Sequence, residues 1–287
     1  MMLHNFLSKA AQEKWATGHF NFSELDQMRA IVEACRDTGA PAIVGTSEGE
    51  RKHMGLAEAV ALRDVFRKEY GIPIFLNADH SKSIEAAKAA VDAGYDSIHI
   101  DLSAKDFEEN ITGTIEVLNY AKSKNPEISV EGELGYLRGE SKIQKEKIEV
   151  RREDYTDPKK AGDFAKRTGI DRLAIAVGNI HGISLDEPDL DIDRIVAIRK
   201  TVPENIALVL HAGSGIPNEQ IKAAIAAGIS NIHINTDLRV AYVEELKKDI
   251  VAHPDEVGMY KLDHGALETM KKVVVEKLTL FGSTNRI

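Results

Sequence analysis

The chain has 287 residues, 43% of them hydrophobic and 29% charged, and a formal net charge of −9. A chain of this length and balance buries a core without disulfides, and its one cysteine, Cys35, permits no internal bridge. The negative charge argues against a nucleic-acid partner, and no apolar run approaches the ~20 residues of a membrane span, so an anionic ligand has to be held by local positive features.

Residues 1–16 are charged and polar and lack the apolar stretch of a signal peptide. Cys35 falls in the helical pattern Ile31–Cys35 and reads as core. A single cysteine fits a reducing cytoplasm. From there, β-branched strand candidates alternate with amphipathic helix candidates. The strands are expected at Ala16–Asn21, Ala42–Thr46, Pro73–Asn77, Ser97–Asp101, Ser129–Glu133, Leu173–Val177, Ala207–Leu210 and Asn231–Asn235. The helices between them fall near residues 24–38, 54–70, 82–93, 106–124, 158–168, 191–201, 218–227 and 237–252, with a further helical segment at 258–280. Glycines at Gly39, Gly71, Gly94 and Gly228 stop helices just before strands. Eight strand–helix units without hairpin signals predict a parallel sheet, and the count favours a closed (β/α)8 TIM barrel of the α/β class. We expect one domain over 1–287 with an extra C-terminal helical segment. Two connections, Leu134–Pro158 and Gly178–Leu190, exceed simple turns. The first carries the charged stretch Glu140–Arg152 and is expected to act as a lid.

Chemistry in a TIM barrel sits where the strands end. Here those ends carry Asn21, Ser47, Asp79-His80, Asp101, Glu133, His181, His211, and His233 with Asn235 and Thr236. A lone histidine is ordinarily a hydrogen-bonded structural residue. Three at separate strand ends, His80, His181 and His211, suit a zinc ion that keeps one position open for a substrate oxygen. Asp101 and Glu133 read as partners of those ligands, as an alternative metal position, or as ion pairs with barrel cations. The turn His211-Ala212-Gly213-Ser214-Gly215 and the helix start after Asn235-Thr236 resemble phosphate cradles, since backbone N–H groups converge at such places.

Asn77-Ala78-Asp79-His80, Gly178-Asn179-Ile180-His181-Gly182 and Leu210–Gly215 together resemble the class II fructose- and tagatose-bisphosphate aldolases. The likeness includes Gly18–Asn21, Gly45–Gly49, Val130–Gly135 and Phe281–Ser283, and so spans nearly the whole chain. The resemblance implies a metal-dependent lyase. It would cleave fructose 1,6-bisphosphate, or the tagatose epimer, reversibly to dihydroxyacetone phosphate and glyceraldehyde 3-phosphate. It implies Asp79 as the catalytic acid, His80, His181 and His211 as zinc ligands, and Asp101 and Glu133 as a second, more buried metal position. Gly182, Gly213, Ser214, Asn235 and Thr236 match positions that hold dihydroxyacetone phosphate, with Asn21, Ala212 and His233 beside them. Ser47 matches a serine near the second substrate. A homo-oligomer, a dimer or larger, is also implied, with residues 258–287 a candidate contact.

Several residues depart from the family pattern. Ser141 stands where the proton-abstracting carboxylate is expected, and its neighbour Glu140 is the replacement. Ala212 replaces a glycine, Ala78 a larger residue, and His233 an asparagine. By strand alternation His233 shares a face with Asn235, His99 with Asp101, and His19 with Asn21. These histidines read as packed and hydrogen-bonded, or as a changed substrate or extra metal contact. Two alternatives stay open: an aldolase for another phosphorylated ketose, and a metal- and sugar-phosphate-binding barrel with little catalysis.

Overall fold

All eight apolar runs form strands, and the last pairs with the first. The computed structural model describes residues 2–146, 148–184 and 189–287. Its strands are β1 (Thr17–Asn21), β2 (Ala42–Thr46), β3 (Ile74–Ser81), β4 (Ser97–Ile100), β5 (Ser129–Leu134), β6 (Gly139–Ile143), β7 (Arg172–Ile175), β8 (His181–Ile183), β9 (Ala207–Leu210) and β10 (Ile229–Ile234). The closed parallel barrel runs β1-β2-β3-β4-β5-β7-β9-β10. The helices are α1 (Leu3–Glu13), α2 (Leu25–Thr38), α3 (Glu48–Met54), α4 (Leu56–Tyr70), α5 (Ile84–Ala93), α6 (Phe107–Lys124), α7 (Pro158–Thr168), α8 (Ile192–Thr201), α9 (Asn218–Ala227), α10 (Thr236–Ala252), α11 (Met259–Leu262) and α12 (His264–Leu280). The expected C-terminal segment is α11 and α12, and α12 packs between α2 and α10. Among the described residues, no helix is long and apolar enough to cross a membrane.

Three features were not foreseen. Helix α1 places Leu3, Phe6, Leu7 and Ala10 on one face. Leu3, Phe6 and Leu7 plug the barrel floor against Ile43, Phe75 and Ala207. Burying such a side chain contributes roughly 1.5–3 kcal/mol, so α1 is part of the core. A short helix, α3, follows β2 and is closed at its start by a reciprocal Ser47–Glu50 capping box. The third is β6, which pairs in parallel with β8, Gly139 opposite His181 and Ile143 opposite Ile183. The described parts of the two long connections are therefore joined as one strap at the barrel mouth. Gln144 ties them, its Nε2 donating to the carbonyls of Glu140 (2.7 Å) and His181 (2.9 Å). Lys147 and residues 185–188 of those connections lie outside the described residues.

The barrel interior is polar. Apolar side chains of the strands and helices fill the space between sheet and helix ring, while His19, Asn77, Ser97, His99, Glu131, Arg172 and Asn231 are all fully buried. Room for these rings is made by backbone: a Cβ on Gly45 would collide with the His19 imidazole. His19 in turn stacks on His233, centroids 3.6 Å apart and planes within 8°. Cys35 is buried among the helices as expected, and burial pushes its thiol well above the usual value.

Candidate active site

The site forms where β3 loses regular pairing. The register of β3 on β4 shifts between Ala78 and Ser81, and His80 takes φ +103°, a left-handed conformation costly for a residue with a Cβ. Arg51 secures this bend, its Nη1 donating to the Asp79 carbonyl at 3.1 Å. The bend turns Asp79 and His80 together into the barrel mouth.

His80 Nε2 lies 3.0 Å from His211 Nδ1. The His181 ring, delivered by the strap, stands 5.4 Å from the His80 ring between centroids. All three line one cavity of about 130 Å³. The other nitrogen of His211, Nε2, is 2.6 Å from Glu131 Oε1, and Glu131 Oε2 is 2.7 Å from Arg172 Nη1. Burial, with His80 next, pushes His181 down to about 4. Burial and the neighbouring His233 hold His211 well below its usual value. Both are therefore neutral imidazoles with a lone pair to give.

Asp79 is buried, and Asn21 Nδ2 donates to its Oδ2 at 3.0 Å. Its Oδ1 lies 3.3 Å from His233 Nδ1 and 3.5 Å from His80 Nε2. Burial alone would raise this carboxyl, but His80, His233 and His99 outweigh it and hold it well below its ordinary range. On the far side of His80, Asp101 Oδ2 stands 3.5 Å and Glu133 Oε2 3.9 Å from Nδ1. Burial, with Asp101 beside it, raises Glu133. His80 and His99 are both raised, because nearby carboxylates overcome burial that would lower them.

The arrangement fits a divalent cation. Asp79, His80, His99 and His211 offer donor atoms all within 4.8 Å of one another, and so do His80, Asp101 and Glu133. Asp79 Oδ1 and Glu133 Oε2 are buried without a hydrogen-bond donor, and the carboxylates favour positive charge at this spot.

The same cavity is lined by Asn21, Ser47, Gly182, Ala212, Ser214, His233, Asn235 and Thr236. Gly213 is placed differently: its N–H donates to the His233 carbonyl at 2.9 Å, and a Cβ there would meet Ile232 and Ile234. Its part in the turn is close packing on β10. Ala212 sits at φ +56°, the conformation that suits glycine. Helix α10 opens at Thr236, beside the cavity, with no side-chain cap from Asn235; the Asp237 N–H donates to Ser214 Oγ at 3.1 Å, which ties the turn after β9 to the positive end of the helix.

Glu140 is not brought to this cavity. Its side chain is 74% exposed and paired to Lys142 at 2.6 Å, which lowers its carboxyl. It borders an adjoining cavity of about 530 Å³ that also reaches His80, Asp101, Glu133 and His181. Ser141 lines both cavities.

Sequence reasoning missed Glu131, Arg172, Glu50 and Arg239. Glu131 could have been found, since it lies two residues before Glu133 and thus on the same strand face. Glu50 accepts from Asn21 Nδ2 at 3.0 Å and from the Ser47 N–H at 2.6 Å, and it ion-pairs with Arg239. Arg239 lines the cavity and donates to the Ser141 carbonyl at 3.3 Å. A larger groove of about 960 Å³ at the floor of the barrel includes Arg63 and Arg67. Both are occupied by Asp96, each at 2.9 Å.

A match to the family described as fructose-bisphosphate aldolase class-II extends over residues 1–286. A fructose-bisphosphate aldolase of Geobacillus stearothermophilus is 35% identical, covering 99% of this chain and 97% of that protein. A probable fructose-bisphosphate aldolase of Bacillus subtilis is also 35% identical, covering 98% and 96%. Among solved structures, the YdjI aldolase from Escherichia coli K12 superposes with a TM-score of 0.83 at 30% identity, covering 98% of this chain and 97% of that one.

Proposed function

This chain belongs to the class II fructose-bisphosphate aldolase family and is an aldolase, a lyase acting on a phosphorylated sugar, and from that membership we propose that it cleaves fructose 1,6-bisphosphate, or its tagatose epimer, reversibly to dihydroxyacetone phosphate and glyceraldehyde 3-phosphate. The observation that carries the reading is the approach of His80 Nε2 to His211 Nδ1 at 3.0 Å, beside the His181 ring and the Asp79 carboxylate. His80, His181 and His211 would hold a divalent ion, zinc in first place by its liking for three imidazoles. The chemistry such an ion supplies when bound is Lewis-acid polarisation of the ketone oxygen.

The chain's own residues do the rest. Asn21 fixes Asp79 Oδ2, leaving Oδ1 to take the proton of the hydroxyl beyond the breaking bond; in condensation Asp79 returns it to the aldehyde oxygen. Gly182, Ala212, Ser214, Asn235 and Thr236 hold the phosphate of the ketone half against the start of α10, with Gly213 shaping the turn. Ser47 faces the second substrate. Glu140 removes or returns the proton on the carbon next to the ketone, and for that its strap has to carry it inward from its exposed place. Asp101 and Glu133, with the far nitrogen of His80, offer a second cation position. The protein works as a homo-oligomer, and the exposed Met259 and Tyr260 are its candidate contact.

Stripping the protein of metal with a chelator and assaying cleavage tests the reading: activity is lost and returns with zinc. Full activity after thorough removal contradicts it. One observation favours a different ketose phosphate as substrate. His233 lines the cavity and touches Asp79, where the family pattern has asparagine. A panel of ketose mono- and bisphosphates separates the two readings by relative kcat/KM.

A further inference from the structure

We propose that Arg172 is a positioning residue of the metal centre, acting through Glu131 to fix which nitrogen His211 presents. The inference rests on reading His80, His181 and His211 as ligands. Arg172 opens β7, and its side chain is wholly inside the barrel. Four other strands or their ends hold its guanidinium. Nε donates to Ser129 Oγ at 3.2 Å, Nη1 to Asn231 Oδ1 at 3.4 Å, and Nη2 to Asn77 Oδ1 at 3.1 Å and to Ser97 Oγ. A cation tethered from so many directions cannot follow a neighbour that moves. Glu131 must come to it, and does, Oε2 standing 2.7 Å from Nη1. Oε2 has no hydrogen-bond donor aligned on it, so Arg172 is the charge that makes this buried carboxylate tolerable.

The other oxygen, Oε1, faces His211 Nε2 at 2.6 Å. Facing a carboxylate, Nε2 is the nitrogen that carries the proton, and Nδ1 keeps its lone pair toward His80 Nε2 at 3.0 Å. The opposite tautomer would point an N–H at the centre and offer no ligand. The same guanidinium orients two amides. Asn77 Oδ1 is taken by Arg172 and Ser97, so its Nδ2 faces His19 Nε2 at 3.1 Å. Asn231 Oδ1 faces Arg172 and His233 Nε2, the latter at 3.1 Å. One cation thereby sets the ring orientation of His211 and of both stacked histidines.

The test is zinc affinity of metal-stripped full-length protein, measured by competition with a chromophoric chelator, together with the visible spectrum after cobalt loading. Glu131→Gln and Arg172→Met each lower zinc affinity about 10–100-fold, the range for removing a ligand's outer partner, and Arg172→Met alters the cobalt spectrum. Arg172→Lys recovers part of the loss. The charge-neutral double variant binds zinc within about threefold of Glu131→Gln, since the two residues act in one chain. If Arg172→Met alone does not fold, that double variant decides, with zinc binding more than tenfold weaker than Glu131→Gln overturning the proposal. So does folded Arg172→Met, or Glu131→Gln, with affinity within about twofold of the parent. Should the parent bind no zinc, or His80→Ala leave its affinity unchanged, the ligand assignment itself fails and the proposal with it.

Discussion

The barrel interior and the strap over its mouth are built on opposite terms. Inside, each charged group meets partners from several strands: Arg172 touches five residues, Glu131 is held between Arg172 and His211, and Asp79 is fixed by Asn21. On the strap, Glu140 is exposed and, among the described residues, its carboxylate pairs locally, with Lys142 on the same strand. The difference separates two tasks. Holding a cation and a proton donor requires atoms fixed to a fraction of an ångström before substrate arrives. Reaching a carbon on a bound substrate can be left to a segment that closes afterwards.

This contrast can be broken at several points. Metal removal has the largest expected effect, complete loss of cleavage with recovery on zinc addition. Asp79→Ala comes next: turnover in a steady-state assay falls about 10²–10⁴-fold, while zinc content by elemental analysis stays at the parent level. A near-normal rate would remove Asp79 from its role. Glu140→Gln sharpens the other side. If the strap delivers the base, exchange of the ketone-side proton with solvent, followed by NMR, slows about 100-fold or more with KM little changed. Unchanged exchange would pass the task to another group. Gly45→Ala probes the packing of the interior, one ring removed from His233 and the cavity. The added Cβ runs into His19, and denaturant unfolding is expected to show about 1–3 kcal/mol of lost stability. The smallest effect belongs to Ala212→Gly, where relief of the left-handed strain at φ +56° is offset by chain entropy, leaving a change within about 1 kcal/mol in the same unfolding measurement.

Much of this was legible in the residues. Strand positions followed from short apolar runs between helix-ending glycines, and Gly39 and Gly71 both take φ +66° as those turns require. The histidines proposed as ligands could be singled out in the sequence because each ends a strand or opens a glycine turn. Helix α1 was missed although Leu3, Phe6, Leu7 and Ala10 have helical spacing, because the segment precedes the strand–helix repeat. The β6–β8 pairing was hidden for another reason. It joins two loops some forty residues apart through backbone bonds, and Gly139–Ile143 shows no apolar alternation. Arg172 was hidden by convention: a charged residue at a strand's start is ordinarily solvated, and only the closed barrel shows five polar groups waiting for it.

The central claim is that three imidazoles distant in sequence share one ion at the barrel mouth. Crystals grown with zinc, with anomalous scattering recorded across the zinc edge, test it most directly. The account predicts one strong peak about 2.0–2.1 Å from His80 Nε2, His211 Nδ1 and a His181 ring nitrogen. A peak that leaves His181 or His211 beyond bonding distance in every substrate state, or no peak at this place, would contradict it.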